Sequence, residues 1–135
     1  TVVIVSILSG ITVSSFVRTN TSKTLEQSAR LVSSTLGQAR SLSISSKDDS
    51  SYGVHFEPEE IILFKGNSFY QSNEENVSVK LNSRVTISEM EIQDVVFSRL
   101  TGESSTEGEI TISLKSDPSS TTKINVYATG LSETE

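Results

Sequence analysis

Residues 1–17 read TVVIVSILSGITVSSFV, and Arg18 is the first ionised side chain of the chain. Small residues (Ser6, Ser9, Gly10, Ser14 and Ser15) interrupt an otherwise aliphatic run. As an α-helix this run is about 25 Å long, short of the roughly 20 apolar residues a full membrane span needs. A few further apolar residues before Thr1 would complete a span, and a chain opening on Thr rather than Met is expected to have something before it. A cleaved signal peptide is one alternative, though no basic leader or small-residue cleavage pattern is visible. A buried strand is another, given the β-branched content. A helix is preferred because helical spacing continues downstream.

From Asn20 onward the pattern becomes amphipathic. Leu25, Ala29, Val32, Leu36, Ala39 and Leu42 recur at spacings of three and four, which is one stripe along a helix. Arg30, Gln38 and Arg40 fall off the stripe, and Gly37 weakens the helix by about 1 kcal/mol relative to alanine. The helix should stop near Ser45–Ser46, where a Ser/Lys/Asp run supplies turn formers. The stripe needs a partner surface, and the rest of the chain has the pattern to provide one.

That remainder reads as short strands. Tyr52, Val54 and Phe56 alternate; Ile61–Phe64 follows; Lys65-Gly66-Asn67 then reads as a turn leading into Phe69-Tyr70, which suggests a hairpin. Val77, Val79 and Leu81 alternate with polar residues, as do Val85 and Ile87; Val95–Phe97 is a short apolar run. Ile110, Ile112 and Leu114 alternate with Thr111 and Ser113, and Ile124, Val126 and Ala128 behave alike. Between the last two lies Asp117-Pro118, where Pro fixes φ and Asp bonds its own backbone. The whole predicts an antiparallel sheet or sandwich with a Ser/Thr/Glu wet face. The expected fold is therefore α+β. Residues 1–18 are expected to form an apolar, membrane-like helix segment. Residues 19–46 form an amphipathic helix half packed on the head, and 47–135 a small β-rich head.

Composition narrows the function classes. The 135 residues include 41 Ser or Thr, one His and no Cys, with 34% hydrophobic residues and a net charge of −6. Disulfides, thiolate metal sites and thiol nucleophiles are excluded together. Charge is uneven, about +4 over residues 1–47 and −10 over the rest. The signs suit attraction between the front of one copy and the back of another; two solvated faces are the alternative. An acidic chain is a poor nucleic-acid binder. His55 sits mid-strand and reads as structural. The acidic groups Glu57/Glu59/Glu60 with Glu74/Glu75, and Glu89/Glu91/Asp94, lack a calcium-loop spacing. Asn20-Thr-Ser and Asn76-Val-Ser match the glycosylation sequon. No catalytic residue, metal or cofactor is expected, because a serine nucleophile needs a base and the single His lies in no recognisable motif.

An uncharged apolar helix running into an amphipathic helix and then a small β-domain resembles the type IV pilin and type II secretion pseudopilin architecture. Ile7-Leu8-Ser9-Gly10-Ile11 resembles the middle of the prepilin-type apolar segment. The aromatic first residue and nearby Glu of such proteins would lie before Thr1. Three further stretches resemble the GspH/FimT-like group. Ala39-Arg40-Ser41-Leu42-Ser43-Ile44 is similar to its Ala-Arg-Ser motif, where helix meets sheet. Val96-Phe97 to Gly102 is similar to its Phe-x-x-x-x-Gly turn, and Ile124–Gly130 to its closing strand and glycine. The missing disulfide loop fits this group; a cysteine-free major pilin is the alternative.

The resemblance implies a filament subunit, homo- or hetero-oligomeric with pilin-like partners, delivered by an inner-membrane assembly platform. It would be membrane-anchored before assembly and then lie in an extracellular or periplasmic filament. Val2, Val3, Ile4, Val5, Ile7, Leu8, Ile11, Val13 and Phe16 would be buried in the filament core or membrane. Ser9, Gly10 and Ser14 would allow close packing or loosen the helix. Leu25, Ala29, Val32, Leu36, Ala39 and Leu42 would hold the helix to the head. The C-terminal Gly130-Leu-Ser-Glu-Thr-Glu135 carries no Arg or Lys, so the DNA-uptake role of some FimT-like proteins is not implied. A minor tip or priming subunit, or a tethered binding module, is the alternative role.

Overall fold

A computed structural model describes the backbone of residues 2–135 and the side chains of residues 23–135. Helix α1 runs Val2–Ile44, about 65 Å at 1.5 Å per residue. A 3₁₀ turn at Lys47–Asp49 leads into strand β1 (Tyr52–Phe56). Seven more strands follow: β2 (Glu60–Lys65), β3 (Val77–Lys80), β4 (Val85–Met90), β5 (Asp94–Phe97), β6 (Gly108–Leu114), β7 (Thr121–Val126) and β8 (Ser132–Thr134). They form two four-stranded antiparallel sheets, ordered β3-β2-β1-β5 and β4-β6-β7-β8. The architecture is one helix packed on two antiparallel sheets, an α+β fold.

The helix packs where its apolar stripe faces both sheets. Leu25, Ala29, Val32, Leu36 and Ala39 are buried, and Leu42 is half-buried against the same core. They meet Val54, Phe56, Leu63, Val95 and Phe97 from the first sheet, and Ile110, Ile112, Ile124 and Val126 from the second. Each such aliphatic side chain taken fully out of water contributes about 1.5–3 kcal/mol. The buried face is wider than the apolar stripe, because Thr24, Ser28, Thr35 and Ser43 also lie within it. Thr35 Oγ1 donates to the Leu31 carbonyl at 2.9 Å and Ser43 Oγ to the Ala39 carbonyl at 3.0 Å. A hydroxyl satisfied by its own helix enters a core without an orphaned donor.

Three strand expectations are corrected. Phe69-Tyr70 is not the second arm of a hairpin with Ile61–Phe64. The partner of β2 is β3, with Ile61 opposite Val79 and Leu63 opposite Val77. Phe69 lies in the intervening loop, where its ring stacks on His55 at 3.9 Å and meets Phe64 edge-on at 5.7 Å. That stacking occupies an apolar side chain which the sequence offered to a strand. The tight hairpin joins β1 to β2, with Glu57 N–H donating to the Glu60 carbonyl across Pro58. Thr111 and Ser113, expected on the wet face, are buried on the central strand β6, flanked by β4 and β7. Strand β7 ends at Val126, and the Ala128 carbonyl instead accepts Ser104 N–H, tying the segment after β5 to the second sheet.

Candidate assembly surface

The helix presents two faces of different chemistry. Opposite the buried stripe, Lys23, Glu26, Gln27, Arg30, Leu31, Ser34, Gly37, Gln38, Ser41 and Ile44 are exposed. Glu26 and Arg30 pair one turn apart, an arrangement that contributes a few tenths of a kcal/mol on a helix surface. Ser34, Gly37 and Ser41 keep the middle of this face shallow, and no atom approaches within 4 Å of where a Gly37 Cβ would sit. Leu31 and Ile44 frame it as the two large apolar residues left 37% and 38% exposed. The proposed filament-core residues Val2, Val3, Ile4, Val5, Ile7, Leu8, Ile11, Val13 and Phe16, with Ser9, Gly10 and Ser14, lie outside the residues whose side chains are described. Among the described residues no helix is long and apolar enough to cross a membrane.

Where the helix ends, three separated sequence motifs converge. Arg40 Nε donates to the Gly102 carbonyl at 3.2 Å, across 62 residues of chain. Gly102 (φ 72°) and Gly130 (φ 91°) both adopt left-handed conformations that glycine tolerates without steric cost. Their loops touch, since a Cβ on Gly130 would lie 1.9 Å from the Gly102 carbonyl oxygen and 2.8 Å from Arg40 Nε. A Cβ on Gly102 would sit 2.7 Å from the Ile44 side chain. Arg40 thus locks the loop after β5 and the β7–β8 turn onto the last turn of α1. Ser43 adds a second tie: its hydroxyl accepts Tyr52 N–H at 2.9 Å, joining the helix end to the first residue of β1. The sequence resemblance pointed to Arg40, Gly102 and Gly130. Ser43 carried no spacing signal of its own.

The connection from α1 to β1 is held in an uncommon conformation. Ser46, Asp48 and Asp49 have φ of 54°, 55° and 52°. The turn sends Asp48 toward Lys65 on β2 and Asp49 toward Arg99 beyond β5, each at 3.5 Å. Beside Asp48, burial raises the proton affinity of the Tyr52 hydroxyl, and the Asp48 charge adds to it. A groove of about 260 Å³ lies here, lined by Gln38, Leu42, Lys47, Tyr52, Leu63 and Val77 among others.

Elsewhere the polar groups mostly serve the fold. Nδ1 of His55 bonds Asp94, its Nε2 lies 3.5 Å from Glu57, and its ring stacks on Phe69. Glu59 is held below the usual carboxylate value by a hydrogen bond from Lys115, Glu60 by the Ser78 hydroxyl, and Asp117 by Ser119 and Ser120. Among the described residues no group of three or more His, Asp or Glu is placed to hold a metal ion. The Asn76 sequon amide is engaged, donating from Nδ2 to the Tyr70 carbonyl at 2.7 Å.

This fold, one long helix clamped against a two-sheet head at an arginine–glycine junction, is the pilin-like fold. The type IV minor pilin FimU of Pseudomonas aeruginosa superposes with a TM-score of 0.65 at 14% identity, covering 82% of this chain and 92% of FimU. The minor pseudopilin EpsH from the type 2 secretion system of Vibrio cholerae superposes with a TM-score of 0.60, also at 14% identity, covering 82% of this chain and 95% of EpsH. No protein-family model matches the sequence, and no curated protein matches it. At this identity the likeness establishes the fold, and the function rests on the surfaces described above.

Proposed function

We propose that this chain is a non-enzymatic structural subunit of a type IV pilus or a type II secretion-like filament, assembling with pilin-like partners through its N-terminal helix. The observation that carries the reading is the division of α1 into two faces. One face is buried in the head from Thr24 to Ser43, while the other stays exposed and shallow along the same residues. The helix continues to Val2, and residues 1–17 carry no charged side chain. A surface helix with a bare second face and an apolar extension is suited to packing among copies of itself. Inside a bilayer the extension is already dry, so helix-to-helix packing, aided by small residues, must favour extraction into a filament. The subunit would wait in the inner membrane, be taken up by an assembly platform, and end in a surface or periplasmic filament.

The test is Ile7→Lys. A lysine at the centre of a membrane helix costs about 2.5–3.5 kcal/mol. The variant should leave the membrane fraction and be lost from filaments while head melting is unchanged. Retention in both places would refute the assigned role of residues 1–18.

A second reading has one observation in its favour: both similar structures are minor subunits of their own systems. A minor tip or priming subunit, or a tethered module contacting a secreted substrate, would appear in trace amounts beside an abundant pilin. The ratio of this chain to its co-purifying partners separates the two roles.

A further inference from the structure

Each sheet ends in two edge strands, and an edge strand carries backbone N–H and C=O groups that its own sheet does not pair. Three of the four edges are closed or covered by the chain itself over most of their length. On β5, Val96 N–H donates to the Ser105 hydroxyl at 3.2 Å, and Ser105 N–H returns to the Val96 carbonyl at 2.8 Å. The Asp94 carbonyl accepts the Thr106 hydroxyl at 3.2 Å. On β4, Val85 N–H reaches the Asn82 carbonyl at 3.1 Å and Ile87 N–H the Pro58 carbonyl at 2.8 Å. Strand β8 is three residues long and runs beside α1, with Thr134 Oγ1 3.3 Å from Ser33 Oγ.

Strand β3 is the exception. Leu81 N–H donates to the Glu59 carbonyl at 3.0 Å, and the register sets Val79 opposite Ile61 and Val77 opposite Leu63. Bonding alternates along an antiparallel ladder, so Val77 and Val79 bond β2 while the N–H and C=O of Ser78 and Lys80 point away from the sheet. Among the described residues nothing meets those four groups. The side chains divide between two faces. Ile61 and Leu63 belong to the core under α1, so Val77 and Val79 lie on that side, and Ser78 and Lys80 lie on the other. There the Ser78 hydroxyl engages the Glu60 carboxylate. Lys80, directly opposite Glu60, is left exposed and in no ion pair among the described residues.

We propose that β3 is a docking edge for an extended segment of a partner protein, which adds an antiparallel fifth strand to the sheet β3-β2-β1-β5. Backbone geometry sets the class of partner. The outward groups of Ser78 and Lys80 stand two residues apart on one line, and an extended chain offers matching groups at the same repeat. The side chains set its pattern. A partner residue opposite Val79 falls beside Val77 and Val79, the former 53% exposed, and is apolar. Partner residues opposite Ser78 and Lys80 fall on the other face, where a carboxylate meets the Lys80 ammonium. The partner strand thus alternates apolar and acidic residues. A second β3 fits less well, because edge-to-edge pairing would set the Lys80 side chains of both copies on one face. The proposal is independent of the filament reading.

Amide hydrogen exchange of the detergent-solubilised full chain, alone and with a soluble peptide of alternating valine and glutamate, tests this at single residues. Alone, the Ser78 and Lys80 amides should exchange freely while those of Val77 and Val79 are protected. The peptide should slow Ser78 and Lys80 at least tenfold and leave β4, β5 and β8 unchanged. The same peptide N-methylated at its glutamates, whose N–H groups would face β3, should give no protection. N-methylation at its valines, whose N–H groups would face away, should leave the protection in place. Lys80→Glu should weaken the effect of the valine–glutamate peptide several-fold and transfer it to a peptide of alternating valine and lysine. No protection of Ser78 and Lys80, protection indifferent to the site of N-methylation, or slowing at another edge instead would overturn the proposal. Dimers of the chain alone that protect the same two amides would overturn the assigned partner. Each of these results leaves the filament reading intact.

Discussion

Replacing Gly130 with alanine inserts a methyl group where the β7–β8 turn crosses the loop after β5. The added Cβ would lie 1.9 Å from the Gly102 carbonyl oxygen, a backbone atom with no flexible end to turn aside. The two loops must separate by more than about 1 Å to restore an ordinary contact, and Gly102 cannot retreat freely because Ile44 closes on it from behind. Separation stretches the 3.2 Å bond from Arg40 to Gly102, a half-buried charge-assisted hydrogen bond worth about 1.5 kcal/mol at its low end. Holding a non-glycine residue at φ 91° adds about 1–2 kcal/mol. With the displaced contacts, a loss of about 3 kcal/mol is expected. At about 2.1 cal/mol/K per residue over roughly 110 residues, that lowers the melting temperature by about 13 °C. Thermal unfolding of the detergent-solubilised chain, followed by far-UV circular dichroism, measures it. Gly37→Ala is the control: it sits in the helix on open surface and should stabilise by about 0.8–1 kcal/mol. The junction argument fails if Gly130→Ala melts within a few degrees of the parent, or if it remains as damaging when Arg40 is already alanine.

The two helix faces should respond differently to truncation. Leu36→Ala, at a fully packed site, costs about 2–5 kcal/mol, while Leu31→Ala on the exposed face stays within about 0.5 kcal/mol in denaturant titrations yet reduces filament yield. Stability should be level through neutral pH and fall in acid. Glu59, Glu60 and Asp117 have folded proton affinities below their ordinary values of 4.5, 4.5 and 3.8. Their contribution is complete above those values and is lost as pH drops through the lower folded ones. Lys123, raised above 10.5 by Glu109, acts at the other end, losing its contribution as pH rises through its folded value. A melting temperature that rises on acidification below pH 4 would contradict the assignment. Finally, His55→Ala removes the platform under Phe69 and should free the 66–76 loop, seen as faster proteolysis between β2 and β3 with the rest of the head resistant. Equal protection of that loop would show that the ring stack does not hold it.

The helix was legible in the sequence because one apolar stripe at spacings of three and four admits few other structures. Its buried hydroxyls were not legible, since Thr35 and Ser43 look polar in sequence and become compatible with a core only after bonding carbonyls one turn back. Strand positions followed from alternation, but pairing did not. Phe69-Tyr70 imitates a hairpin arm at the right distance, and nothing local tells a ring bound for His55 from one bound for a sheet. The insertion of β5 beside β1, nearly forty residues away, is a non-local choice that alternation cannot encode. The junction was partly legible through resemblance, which marked Arg40, Gly102 and Gly130 separately. That these three touch depends on loops closing across the whole head.

The central claim is that this chain is a filament subunit. Electron microscopy of sheared surface material, with mass spectrometry of the purified fibres, tests it most directly. The account predicts fibres containing this chain, with its helix in the fibre core and its head outside. Fibres that lack the chain altogether, with the full-length protein remaining elsewhere in the cell, would contradict it.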